Sequence, residues 1–188
     1  MTDETLTNLR DAARSALPVV QGVHDGQLGA PTPCAEYDVR ALLNHLFHVV
    51  VSFQALAVKG QADFSSTPDR LGPEWRDRFA VESDALVRAW SSDSALRGES
   101  PVMRMPQRFV ATQALADLTV HAWDLARATG RPYTPPPGAV RELLPALREM
   151  APMARQAGVF APEVTTAPDA PEFARLLGVS GRDPDWRP

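Results

Sequence analysis

The chain contains one cysteine, Cys34, so no intramolecular disulfide can form and the fold must be held by packing. That usage fits a reducing compartment, and Cys34 itself reads as a small packed residue in the turn TPC. Basic charge is also sparse. Lys59 is the only lysine, the formal net charge is −4 and the pI is near 5.5. The arginines are scattered rather than clustered, which leaves no electrostatic footprint for nucleic acid. The longest apolar run, within LLNHLFHVVVSFQALAV, is interrupted by His, Asn, Ser and Gln. It falls short of the roughly 20 apolar residues that a membrane span requires. The N-terminus, MTDETLTNLRDAARS, is acidic and amphipathic and lacks the basic start and apolar core of a signal peptide. A cytoplasmic protein that engages neither membrane nor nucleic acid is therefore expected. No segment alternates at period two for long enough to make a sheet, and no repeat at a fixed spacing is present.

What remains is helix. The 188 residues, 44% hydrophobic and 22% charged, have the make-up of a globular protein able to bury a core. Leu6, Leu9, Ala13, Ala16, Leu17 and Val20 recur at helical spacing and predict a first helix over residues 3–23, with Asp3 as N-cap and a kink or break at Pro18. Residues 24–37, rich in Gly and Pro, read as a loop. A second helix is expected over 38–59, capped by Asp38, with Tyr37 placed to staple against Leu42. A third should run over 73–90, with Trp75, Phe79, Leu86 and Trp90 on one face, and a fourth over 106–129, closed by Gly130. RPYTPPPG reads as a rigid proline linker, residues 139–156 as a shorter fifth helix, and EFARLLG as a last turn or two before the tail GRDPDWRP. The predicted fold is all-α, a four-helix bundle over residues 1–130, with a C-terminal helical extension and proline-rich tail over 131–188 packed on it.

One stripe of the fourth helix stands out. ALADLTVHAWDLARATG is apolar nearly all the way round, yet Asp117 and His121 lie four residues apart on one face, and Gln113 and Asp124 extend the stripe by a turn each way. If the stripe is buried, an unpaired carboxylate costs several kcal/mol, and the usual resolutions are an ion pair, protonation or a metal. A divalent cation would satisfy both groups, and a His from the second helix could complete the set. At ~100° per residue His45 lies about 90° from the centre of that helix's apolar stripe and His48 about 150° from it. His45 is thus the candidate ligand, and His48 reads as solvated or as a supporting residue. Three ligands of this kind leave a coordination position for water or substrate, the arrangement of catalytic zinc. An Asp/His pair at this spacing is also a common surface or half-buried salt bridge, worth a few tenths of a kcal/mol. Asp124 either orients a ligating His or pairs with Arg127 or another helix's arginine. His24 should be on the surface, and Trp75, Trp90 and Trp123 in the core. Arg40 and Arg104 could bind an anionic substrate or thiol.

TPCAEYDVRALLNHL, followed about seventy residues later by DLTVHAWDLARATG, resembles the actinobacterial metal-binding proteins related to the N-terminal domain of mycothiol-dependent maleylpyruvate isomerase, within the DinB-like superfamily. The closing stretch APDAPEFARLLGVSGRDPDWRP resembles the same group's C-terminal segment. The resemblance implies a DinB-like four-helix bundle whose divalent metal, commonly Zn²⁺ with Ni²⁺ or another transition metal as alternatives, is held by a His of the second helix and two residues four apart on the last bundle helix. In this sequence these are His45, Asp117 and His121, supported by Gln113 and Asp124.

Two departures separate this chain from the characterised isomerase. Asp117 stands where the isomerase has Glu, so the shorter carboxylate must draw its helix closer or bind through one oxygen. A length of 188 residues is expected to leave no room for the isomerase's second domain, which argues against maleylpyruvate isomerisation itself. Tyr37 stands where relatives usually place Trp. The resemblance implies a metal-dependent enzyme acting on a small-molecule substrate with mycothiol as co-substrate, an S-transferase or isomerase. The alternatives are a non-catalytic metal-binding or stress-related bundle that dimerises through a helix face, and a secondary-metabolism tailoring enzyme using the metal as a Lewis acid.

Overall fold

The computed structural model describes residues 3–188, and among these the regular secondary structure is entirely helical. Helix α1 spans Glu4–Gln21, α2 Val39–Ala57, α3 Trp75–Trp90, α4 Gln107–Thr129, α5 Pro137–Gln156 and α6 Glu172–Val179, with a single 3-10 turn at Asp25–Gln27. The starts of the first two follow from their caps. Asp3 accepts from the Thr5 N–H at 3.0 Å and Asp38 from the Ala41 N–H at 2.7 Å. Gly130, with φ of 69°, closes α4 in the left-handed conformation that glycine adopts at little cost.

Helix α1 continues through Pro18 rather than breaking there. The proline removes one hydrogen bond in what is already the last turn, and the Gly22 N–H bonds back to the Pro18 carbonyl at 3.1 Å. Helix α5 departs from expectation in length. It starts inside the proline stretch, where Pro137 occupies the first turn, and runs for 20 residues. Its internal prolines, Pro145 and Pro152, lie on the exposed side, where water can serve the carbonyls they leave unbonded.

Helices α1 to α4 form the bundle. α1 packs on α3 and α4, and α2 packs on the same two, so the cyclic order is α1–α3–α2–α4. Leu9, Leu42, Leu46, Leu56, Phe79, Leu86, Trp90, Leu115 and Leu118 fill the space between them, almost fully buried. Trp75, Trp90 and Trp123 are all buried, as the sequence suggested. Buried Gln107, at the start of α4, donates to the Leu56 carbonyl at 2.8 Å and so serves the last turn of α2. Helix α2 is long and apolar enough to cross a membrane by composition, but 67% of that window is buried inside the bundle.

Helix α5 lies against α1 and α4, and α6 packs on α5. The first contact is polar and close. The Glu142 carboxylate accepts from Thr5 Oγ1 at 2.8 Å and from Asn8 Nδ2 at 2.6 Å. Gly138 passes so near Asn8 that a β-carbon there would collide with its amide oxygen. With α1, α2 and α5 all around it, α4 is covered on most sides, which is why its sequence is apolar nearly all round.

Candidate metal centre

Helices α2 and α4 are neighbours, and the stripe of α4 that carries Asp117 and His121 faces His45 on α2. One donor atom from each of the three side chains lies within 4.8 Å of the other two. Asp117 Oδ1 is 3.5 Å from His121 Nε2 and 3.9 Å from His45 Nε2. The same oxygen faces both imidazoles. Side-chain exposures of 23% for His45, 29% for Asp117 and 8% for His121 place the group on the floor of an opening rather than on the outer surface or in a sealed core.

Each imidazole is held from behind. Tyr37, just before α2, stacks on the His45 ring with centroids 5.2 Å apart and planes 23° from parallel. His121 Nδ1 lies 2.9 Å from Asp124 Oδ2, one helical turn on. A carboxylate can only accept, so Nδ1 carries the proton and Nε2 is the nitrogen turned toward Asp117 and His45. Asp124 is wholly buried and is held in turn by Arg182 from the C-terminal tail, whose Nη2 donates to the same Oδ2 at 3.3 Å while Nη1 donates to the Ser180 carbonyl at 3.0 Å. Asp124 therefore both orients the histidine and forms an ion pair. Its partner is Arg182 and not Arg127, which donates to the Trp186 carbonyl at 2.6 Å.

The charges reinforce one another. Burial alone would raise the Asp117 carboxyl, but hydrogen bonds and charge from His121 and His45 outweigh it and hold the group well below the usual carboxylate range. Burial would lower His121, but Asp117 and Asp124 prevail and raise it. Arg182 is raised by the Asp124 charge against the same desolvation. Cys34 lines the opening as well, and burial pushes its thiol up, so it stays protonated near neutral pH.

The opening is a cavity of about 510 Å³. One end holds the triad with Cys34, Tyr37 and Arg182; the rest is walled by Val49 and Phe53 of α2, Val120 of α4, Leu147 and Met150 of α5, and Phe160 beyond it. Gln113 lines it one turn before Asp117 and, among the described residues, makes no side-chain hydrogen bond to the triad.

The remaining polar candidates lie elsewhere. His48 is not solvated. The segment 58–74 folds back over it, its Nε2 meets the Asp63 carbonyl at 2.8 Å and its ring lies against Phe64, so helix angle alone misjudged a face that a loop covers. His24 is exposed beside Arg131. Arg40 pairs with Asp69 on the surface, and neither it nor Arg104 reaches the cavity, where Arg182 is the cation instead.

The donor set fits a tetrahedral divalent ion. Metal–ligand bonds of about 2.0–2.2 Å at tetrahedral angles separate donors by about 3.4 Å. The two separations from Asp117, 3.5 and 3.9 Å, are close to this value, and the third donor pair, within 4.8 Å, requires the two histidines to draw together around the ion.

Over residues 9–126 the chain matches the mycothiol maleylpyruvate isomerase N-terminal domain. It belongs to that family. Two curated relatives, uncharacterized proteins from two strains of Mycobacterium tuberculosis, are each 27% identical over 169 residues, covering 87% of this chain and 90% of theirs. The crystal structure of the mycothiol-dependent maleylpyruvate isomerase shares the fold with a TM-score of 0.54 at 18% identity, over 82% of this chain and 72% of that one. The all-helical, DinB-like bundle expected from the sequence is thus the fold of this isomerase family. The family match stops at residue 126, so Arg182 and the C-terminal wall of the cavity lie outside it.

Sequence reasoning did not find Arg182, the stacking of Tyr37 on His45, or Cys34 in the cavity wall. Tyr37 left a trace, since it sits eight residues before His45 at the mouth of α2. Arg182 left none, because it is 58 residues from Asp124 and in a tail without periodicity.

Proposed function

We propose that this chain is a divalent-metal enzyme that uses a low-molecular-weight thiol, mycothiol by family membership, for S-transfer to or isomerisation of a small electrophile. The observation that carries the reading is the convergence of His45, Asp117 and His121 from two helices on the floor of an open cavity. When bound, a divalent cation favours thiolate over thiol near neutral pH and polarises a carbonyl. The protein's own residues do the rest. Asp117 offers one oxygen, Oδ1, toward both histidines, which suits a carboxylate shorter than the Glu of the characterised isomerase. Asp124, fixed by Arg182, keeps the proton on His121 Nδ1 and the Nε2 lone pair on the cavity side once Nε2 is unprotonated. Tyr37 limits rotation of the His45 ring. Cys34, held as the thiol, is a poor nucleophile, which leaves that role to an external thiol. The His and carboxylate donors suit zinc, with nickel or another divalent transition metal as alternatives.

Two measurements test the reading. Protein purified without an affinity tag should carry about one metal per chain by plasma mass spectrometry, and His121→Ala less than a tenth of that, on the order of what a lost ligand removes. Equal, negligible metal in both would end the proposal. With metal confirmed, mycothiol and a chlorinated arene or bimane should react faster with the zinc-loaded chain than with the metal-free one. Equal rates across a panel of electrophiles would leave a metal-binding protein without turnover.

A further inference from the structure

Beyond the triad, the cavity says something about what enters it. Its lining holds one cation, Arg182, against two carboxylates, Glu36 and Asp117. Both Arg182 terminal nitrogens are already engaged, by Ser180 and Asp124. Beyond the polar end the lining is aliphatic, aromatic or thioether except for the uncharged amide of Gln113. Val49 and Phe53 stand one and two turns beyond His45 on the same helix stripe, and Leu147, Met150 and Phe160 close the other side. The mouth is apolar too. Phe64 and Val159 both line it, at 45% and 67% exposure, and they belong to a short set of large apolar side chains left in water, the others being Val58, Val81 and Met153. Apolar side chains left exposed around a concave opening mark a binding surface.

We infer that the substrate is an apolar organic molecule with a single anionic or metal-coordinating group, seated with that group at the triad and its hydrocarbon body against the Phe53–Met150–Phe160 wall. The metal end of this inference rests on the function proposed above; the wall does not. A small dicarboxylate fits poorly, because its second carboxylate would lose water against this wall, which carries no cation to receive it. The volume of about 510 Å³ is in the ordinary range for a small-molecule site and far exceeds what one water or ion needs.

The test is a homologous series of straight-chain monocarboxylates, hexanoate to decanoate, titrated calorimetrically into the full-length metal-loaded protein, with maleate as the dicarboxylate comparison. Each added methylene should tighten Kd about threefold to fourfold, as burial of a CH₂ group predicts, and maleate should bind more weakly than octanoate. A series flat in chain length, or maleate binding as tightly as octanoate, would overturn the inference. Met150→Glu and Phe160→Asp should each flatten the series, while Val81→Asp, on the exposed side of α3, should leave it unchanged. Wall variants that fold by circular dichroism and keep the full slope would also refute it. Repeating the series on metal-free protein separates the two readings. A retained slope with negligible native metal removes the proposed chemistry and keeps the wall; stoichiometric metal with a flat series does the reverse.

Discussion

The bundle and the C-terminal segment contribute to one site in different ways. The bundle supplies donors: His45 from α2, Asp117 and His121 from α4, on two helices that are neighbours and share a core. The C-terminal segment supplies no donor to the triad. It supplies Arg182, which fixes Asp124 behind His121, and with Leu147, Met150 and Phe160 it builds the wall a substrate would touch. The difference teaches that the candidate donors come from the bundle alone while the wall is shared, Val49, Phe53 and Val120 from the bundle and Leu147, Met150 and Phe160 from the C-terminal segment, so the outer part of the wall can vary while the donors are kept. The family match, which ends at residue 126, covers the donors and the bundle side of the wall and not the C-terminal side.

The strongest way to break this division is to remove its one buried ionic link. Asp124 is fully buried and Arg182 nearly so, with 9% of its side chain exposed. Arg182→Met leaves a carboxylate inside with only His121 to answer it, and breaking a buried pair from one side costs about 3–5 kcal/mol. Urea denaturation should show a loss of that order. Hydrogen exchange should show the extra opening concentrated in residues 158–188, with the α1–α4 core protected once the midpoint shift is allowed for. Uniform loss across all six helices would mean that the two regions fold as one and the division is false. Adding Asp124→Asn to Arg182→Met should recover part of the stability, since the stranded charge is gone.

How far the sequence carried this picture follows the same line. The bundle helices were legible because each presents a 3.6-residue pattern with a cap that makes its hydrogen bond: Asp3, Asp38 and Gly130 all behave as local chemistry dictates. Asp117 and His121 were legible because four residues on a helix is a fixed distance in space. His45 was reachable through its angle on α2, but the same reasoning failed for His48, where residues 58–74 cover a face that periodicity assigns to water. Arg182 and Phe160 were out of reach. Their partners are set by how α5 and α6 dock, which depends on contacts such as Glu142 with Thr5 and Asn8 that no local pattern announces.

A smaller effect separates the two regions by their response to pH. His121 is raised above its ordinary value of about 6.5 by Asp117 and Asp124, whereas the Asp117 carboxyl is lowered and Arg182 is raised, so neither of these changes charge near neutrality. In metal-free protein the stabilisation of protonated His121 is complete below about 6.5 and is lost as pH rises through the raised folded value. Metal requires the unprotonated Nε2, so its affinity moves the other way, falling by up to about tenfold per pH unit as pH drops below that value, one proton displaced per ion. Competition with a chromogenic chelator from pH 5 to 9 measures the slope. Metal affinity independent of pH across this range would show that His121 is not a ligand. Arg182→Met should shift the curve without abolishing it, because Arg182 acts through Asp124 and does not itself touch the triad.

The smallest expected effect is confined to the bundle and serves as the counterweight. Asp3 caps α1 through the Thr5 N–H and meets Arg108 of α4 through both oxygens, at 2.9 and 2.6 Å. The hydrogen bond from Arg108 is the main reason its carboxyl is lowered, so its contribution is present above about pH 4 and is lost as pH falls through the depressed folded value. The pair is largely solvated and adds little; the cap is the larger part. Asp3→Ala should therefore cost about 1 kcal/mol in urea denaturation at neutral pH and progressively less in acid. The triad is on another face of α4 and is supported from the C-terminal side, so metal content and the monocarboxylate series should match wild type. If Asp3→Ala lowers metal content as far as Arg182→Met does, support for the site comes from general bundle stability and not from the tail, and the contrast between the two regions collapses.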